Sequence, residues 1–174
     1  MMRLTVMCVA ALCASAAAAD AVELPTRKAG LWELTMLRAG SATPEVTMQH
    51  CTDEATDKQM TANFSPMAKQ NCAKNDNQKT TTGYVTDSVC SFGGSTLTSH
   101  SEIIGDFNSG YTMTVTSSSD KPPPGMPPNS TVMLQAKWLG ACGADQRPGD
   151  IVMPGGFRMN IKDMEKLKGL LPKQ

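Results

Sequence analysis

The stretch Tyr111-Thr112-Met113-Thr114-Val115-Thr116-Ser117 alternates large apolar and small polar side chains without a break. Successive residues of a strand point to opposite faces, so Tyr111, Met113 and Val115 share one side, and Thr112, Thr114 and Thr116 share the other, solvated one. The same period continues in both directions. Ser95 to Ile104 precedes it across a turn cluster at Gly105 to Gly110, and Ser130 to Leu139 follows, with Val132, Leu134, Ala136 and Trp138 pointing inward. Further upstream, Lys79 to Phe92 reads as strand and ends at Gly93-Gly94. Gly30 to Met36 sets Trp32, Leu34 and Met36 on one face and turns through Gly40 to Pro44 into Val46 to Cys51, a hairpin. Consecutive strands with short connections predict an antiparallel meander. The expected fold is mainly β, a strongly curved antiparallel sheet of about six or seven strands.

Two stretches read as helix. Thr52 can cap a short helix from Asp53 to about Met60, with Asp53 and Glu54 placed against the positive end of its dipole. Pro66 and the polar run Asn71 to Gln78 then read as a break around Cys72. Asn160 can cap a C-terminal helix in which Ile161, Met164, Leu167 and Leu171 recur until Pro172. Between the last two long strands, residues 120–129 hold Pro122, Pro123, Pro124, Pro127 and Pro128, so this loop is expected to be stiff, exposed and polyproline in character.

The first residues have a different purpose. Arg3, the apolar run Leu4 to Ala14 and the small residues Ala17-x-Ala19 before Asp20 make residues 1–19 a secretory signal peptide. The run is far shorter than the roughly 20 apolar residues that span a bilayer, and no later stretch is long and apolar enough, so no membrane span is expected in the mature chain. Residues 20–174 then form a single β-rich domain, expected in the periplasm. Of six cysteines, Cys8 and Cys13 fall in the leader, and the even set Cys51, Cys72, Cys90 and Cys142 reads as two disulfides in an oxidising compartment. Four cysteines allow three pairings. The preferred one joins Cys72 to Cys90 across a short loop and Cys51 to Cys142 across a long one.

Composition excludes more than it assigns. Sixteen basic residues balance sixteen acidic ones, which leaves no electrostatic footprint for nucleic acid. There is no G-x-S-x-G elbow, no Walker loop and no dinucleotide fingerprint, so no cofactor and no catalytic residue is assigned. The histidines are His50 and His100, and a small hydrolase would need one of them beside a serine or carboxylate in a cleft. Methionine is frequent, 13 in all, and Met48 and His50 lie two residues apart on one face of a strand, a ligand-like pair for a soft metal such as Cu(I). No M-x-x-M cluster accompanies it, and pliable core filling explains the methionines more simply. The favoured function is a non-enzymatic binding module for a small apolar ligand, a peptide or an envelope partner. Its expected lining is Trp32, Met36, Tyr111 and Trp138; a small periplasmic hydrolase and a copper-binding protein are the alternatives.

Several motifs taken in order resemble a known family. Lys28-Ala29-Gly30-Leu31-Trp32-Glu33 is similar to its K-x-G-L-W-E opening, and Cys51-Thr52 followed by acidic residues is similar to its cysteine-capped helix. Leu139-Gly140-Ala141-Cys142 and Arg147-Pro148-Gly149-Asp150-Ile151-Val152-Met153-Pro154 are similar to its closing motif. The family is the domain-of-unknown-function 3617 family of small exported proteins from Gram-negative bacteria, and the resemblance covers nearly all of residues 27–164. It implies a periplasmic location and a shared fold. It brings no activity and no catalytic residue, and Cys51-Thr52 departs from the commoner C-L-T.

Overall fold

The computed structural model describes residues 22–38 and 46–163, and for 61–69 the backbone alone. The alternating runs form strands: β1 (Gly30–Arg38), β2 (Val46–Thr52), β4 (Gly83–Phe92), β5 (Ser95–Asp106), β6 (Gly110–Ser119) and β7 (Asn129–Gly140). Three further strands, β3 (Cys72–Lys79), β8 (Asp150–Val152) and β9 (Arg158–Asn160), bring the total to nine where six or seven are expected. All nine lie in one open antiparallel sheet, in the order β3-β4-β5-β6-β7-β1-β2-β8-β9. The meander is β3 to β7. The β1–β2 hairpin adds to the far side of β7, so the chain leaving β7 must pass both of its strands to reach β8.

The strands β8 and β9 are three residues long, too short for an alternating period to show, and the Pro148-Gly149 and Pro154-Gly155 pairs on either side of β8 favour turns. Strand β3 was hidden for another reason. Its Lys74, Asp76 and Lys79 are exposed at the sheet edge, where charge discourages pairing with other chains, and such a strand carries no apolar period.

The register stacks the inward residues of successive strands. Trp32 faces Trp138 and His50, Leu34 faces Ala136 and Met48, and Met113 faces both Leu134 and Ile103. The core is Trp32, Leu34 and Ala136, with Met48, Tyr111, Leu134 and Trp138 packed against it. Polar pairs such as Glu33 with Lys137 and Thr35 with Gln135 occupy the opposite face.

One helix, α1 (Glu54–Asn71), is much longer than expected and runs past Pro66. Its length follows from the topology. Strands β2 and β3, which it connects, are six positions apart, roughly 29 Å at the usual strand spacing. Eighteen residues of helix extend roughly 27 Å, whereas a helix ending at Met60 would fall far short. The N-cap is Asp53 rather than Thr52. Asp53 Oδ1 accepts from the Thr56 amide at 2.7 Å and Thr56 Oγ1 accepts from the Asp53 amide at 2.9 Å, a reciprocal box. At the other end of the chain Asn160 Oδ1 accepts from the Lys162 amide at 2.9 Å and residues 161–163 are helical, but the rest of the expected C-terminal helix lies outside the described residues. So do the Gly40–Pro44 turn and the leader. No helix among the described residues is long and apolar enough to cross a membrane.

Both preferred disulfides are present: Cys72–Cys90 ties β3 to β4, and Cys51–Cys142 ties β2 to the segment after β7. The 120–129 loop is held back on the sheet by the Thr96 amide donating to Asp120 Oδ1 at 2.7 Å and the Ser119 amide donating to the Pro128 carbonyl at 2.8 Å.

Gly30, the glycine of the opening motif, has φ +133°, and a Cβ there would stand 2.2 Å from the Gly140 carbonyl oxygen. Backbone strain of this kind costs about 1–3 kcal/mol per residue, before the clash is counted. Gly30→Ala is therefore expected to lower the urea midpoint with an unchanged slope, and a midpoint equal to wild type would contradict the close packing of β1 on β7.

Candidate functional site

An extended strap, residues 22–29, and the first turns of α1 lie against the apolar face of the sheet, with Leu24, Pro25 and Met60 opposite Leu34, Ile103, Met113 and Leu134. Indole donors hold the strap down. Trp32 Nε1 donates to the Lys28 carbonyl at 2.8 Å and Trp138 Nε1 to the Ala29 carbonyl at 3.1 Å, while the Lys28 amide donates to the Phe107 carbonyl at 2.7 Å. The Lys28 ammonium sits 3.6 Å from the centroid of the Trp138 ring, a cation–π contact.

Arg27 points inward from the strap and is the centre of a buried charge cluster. Its backbone amide and its Nε both donate to the Asp57 carboxylate at 2.7 Å, and the two side chains are 9% and 8% exposed. A terminal guanidinium nitrogen donates to His50 Nδ1 at 3.0 Å, and the guanidinium carbon lies 5.8 Å from the Trp32 ring centroid. Met60 Sδ is 3.9 Å from the same nitrogen. Because arginine is always a donor, Nδ1 must be the unprotonated nitrogen and the proton sits on Nε2. That Nε2 is buried and has no hydrogen-bond partner among the described residues. His50 itself is fully buried. Burial, reinforced by the Arg27 charge and opposed by Asp57, lowers its pKa to about 4, so the ring is neutral.

Beside this cluster the strap, helix and sheet leave a cleft of about 280 Å³. Leu24 and Pro25 of the strap and Met60 of α1 form one wall, and Leu34, Ile103, Met113 and Leu134 of the sheet form the other. Phe107, from the β5–β6 turn, and Tyr111 complete it. The aromatic rings run in a row: Tyr84 edge-on to Phe107 at 6.0 Å, Phe107 stacked on Tyr111 at 4.8 Å, and Tyr111 tilted against Trp32 at 6.0 Å. Burial pushes the Tyr111 phenol up from its ordinary pKa. Among the described residues the charged groups lining the cleft are Arg27 and Asp57, which neutralise one another.

A family model described as a protein of unknown function (DUF3617) matches residues 27–142. The chain belongs to the DUF3617 family. No curated protein and no solved structure matches it. The DUF3617 match opens on Arg27, the cation of the buried cluster, and closes on Cys142, the far partner of the long disulfide. The Arg147–Pro154 motif lies beyond the matched stretch of this DUF3617 chain.

The candidate residues fall in different places. Tyr111 lines the cleft, Trp32 is fully buried beneath the strap, Trp138 is half-buried under Lys28, and Met36 is 40% exposed. Met48 packs on the core, and its strand neighbour His50 meets a guanidinium. Among the described residues no group of three or more His, Cys, Asp or Glu side chains converges. His100 Nδ1 lies 2.8 Å from Asp87 on the exposed face, across one strand pair. Arg27, Asp57 and Phe107 were missed. Arg27 stands immediately before the opening motif, the one hint of it. Phe107 is hidden inside a turn cluster, and Asp57 looks like any acidic residue in a first helical turn.

Proposed function

We propose that this protein is an exported, periplasmic, non-enzymatic binding module that takes a small neutral apolar molecule into the cleft between strap, helix and sheet. The observation that carries this reading is the chemistry of the lining: aliphatic and aromatic side chains, with the two charges present already paired to each other. A charged ligand would have to compete with Asp57 or Arg27 for a partner, whereas an apolar one loses only water. At about 280 Å³ the cleft suits a small molecule, since ligand sites run from about 300 to 1,000 Å³. The signal-like leader and the paired cysteines support export to an oxidising compartment.

The test is a fluorescence titration with the neutral apolar probe N-phenyl-1-naphthylamine. Met113→Glu sets an unpaired carboxylate in the cleft wall and is expected to weaken binding at least tenfold, about 1.4 kcal/mol. Ile104→Glu, on the opposite face and 49% exposed, is expected to bind as wild type does. Absence of probe binding, or equal loss in both variants, would remove the cleft as a ligand site.

A further inference from the structure

We propose that the strap is an acid-released latch: when His50 takes up a proton it can no longer accept from Arg27, the strap lifts from the sheet, and the cleft opens and empties. The lifting of the strap stands on the hydrogen-bond geometry alone, while the emptying rests on the ligand reading above.

The side chain of Arg27 is held by the Asp57 carboxylate and by His50 Nδ1, with the Tyr111 hydroxyl accepting from the guanidinium as well. The His50 bond works only while Nδ1 keeps its lone pair. A protonated ring would set an N–H against a guanidinium N–H at the present separation of 3.0 Å, two donors and two positive charges in a buried site. Among the described residues nothing nearby would compensate: Nε2 has no acceptor to strengthen, and the carboxylate that faces the cluster, Asp57 from α1, is already held by the Arg27 amide and Nε. Tyr111 from β6 borders the cluster as a neutral phenol, and the cross-strand neighbours of His50, Trp32 and Ile151, carry no charge. The cheapest relief is movement of Arg27, because it sits on an extended strap rather than in the sheet.

The direction and size follow from linkage. In the closed form the His50 pKa is about 4, and in an open form exposed to water it returns toward 6.5. The open form therefore binds more protons at any pH between these values, and the latch weakens as the pH falls through that window. Relative to pH 7, the opening equilibrium rises about 20-fold by pH 5 and about 120-fold by pH 4, and approaches about 240-fold at still lower pH. Asp53, Asp87, Asp106, Asp120, Asp145 and Asp150 all have lowered pKa values, so their own contributions are lost only below the window.

The experiment is amide hydrogen exchange on the ligand-free full chain at pH 7, 5 and 4, corrected for intrinsic rates. The reporters are the Arg27 and Lys28 amides, which donate to Asp57 and to the Phe107 carbonyl, with the β5–β6 ladder as internal control. Strap protection is expected to fall about 20-fold at pH 5 and about 120-fold at pH 4 while the ladder keeps its protection. In His50→Asn the side-chain oxygen can accept at the Nδ1 position without titrating, and strap protection is expected to stay constant with pH. Should that variant not fold, Arg27→Gln is expected to leave the Lys28 amide weakly protected at pH 7, with no further fall in acid. Unchanged strap protection down to pH 4, a parallel loss in the ladder, or the same acid loss in His50→Asn would overturn the latch. N-phenyl-1-naphthylamine bound at pH 7 and still bound at pH 4 beside a loosened strap would overturn the emptying. Failure of the probe to bind at pH 7 would instead count against the ligand reading.

Discussion

Asp57→Ala is expected to lower the free energy of unfolding by about 3 kcal/mol, at the lower end of the about 3–5 kcal/mol that follows when one member of a buried ion pair is removed. The substitution deletes the acceptor of two hydrogen bonds of 2.7 Å and leaves the Arg27 guanidinium enclosed by Trp32, His50 and Met60. Leaving a charge buried without its partner accounts for most of the loss. The lower end applies because the stranded cation is carried by the strap and can swing into water, losing the two indole-to-carbonyl bonds that hold residues 28 and 29. A second variant separates charge from packing. Arg27→Met with Asp57→Leu removes both charges and keeps apolar volume, and it is expected to regain most of the lost stability. Urea unfolding reads both, with an unchanged slope as the sign that the folded state is intact. A double variant no more stable than Asp57→Ala would mean that the cluster acts through its geometry and not its charge.

The ease of reading the sheet and the difficulty of reading the site have one physical source. A strand with one wet face writes its orientation into every second residue, so β6, β7 and β1 are visible in Tyr111-Met113-Val115, Leu134-Ala136-Trp138 and Trp32-Leu34-Met36. That the four cysteines form two disulfides is legible from their even count, while the choice among three pairings comes from the fold, which sets Cys72 opposite Cys90 and brings Cys142 to Cys51. The helix boundary is not legible, because the length of α1 is set by the distance between β2 and β3, a property of the finished sheet. Nor is β3, an edge strand whose side chains are chosen to repel partners and not to fill a core. The buried cluster draws Arg27 from the strap, His50 from β2 and Asp57 from α1, and no local period joins them. Alternation gives the face of His50, and with it the reading of His50 as a metal donor beside Met48. Its partner cannot be deduced so, since Arg27 reaches it from a segment with no period at all.

Removal of the long disulfide is expected to be the most destabilising change of all. Cys51→Ala with Cys142→Ala releases a loop with a sequence separation of 91, and Cys72→Ala with Cys90→Ala one of 18. In the chain-entropy description these correspond to about 4.6 and about 3.2 kcal/mol. Position widens the gap. Cys72 and Cys90 lie opposite each other on paired strands at the sheet edge, where the ladder continues to hold them. Cys142 belongs instead to the segment that leaves β7 and passes β1 and β2 before β8 can pair, and Cys51 at its anchor is fully buried. Beyond the disulfide, that segment is fixed to β2 by the Gly149 amide donating to the Cys51 carbonyl at 2.8 Å and by the short β2–β8 ladder. Without the sulfur bridge, β8 and β9 are expected to lose protection from hydrogen exchange before the meander does. His50 would be exposed with them, because its cross-strand neighbour on that side is Ile151 of β8. Urea unfolding of the two double variants gives the order directly. A larger loss for the Cys72 and Cys90 pair would show that the meander edge, and not the closure of the crossing segment, limits the stability of this fold.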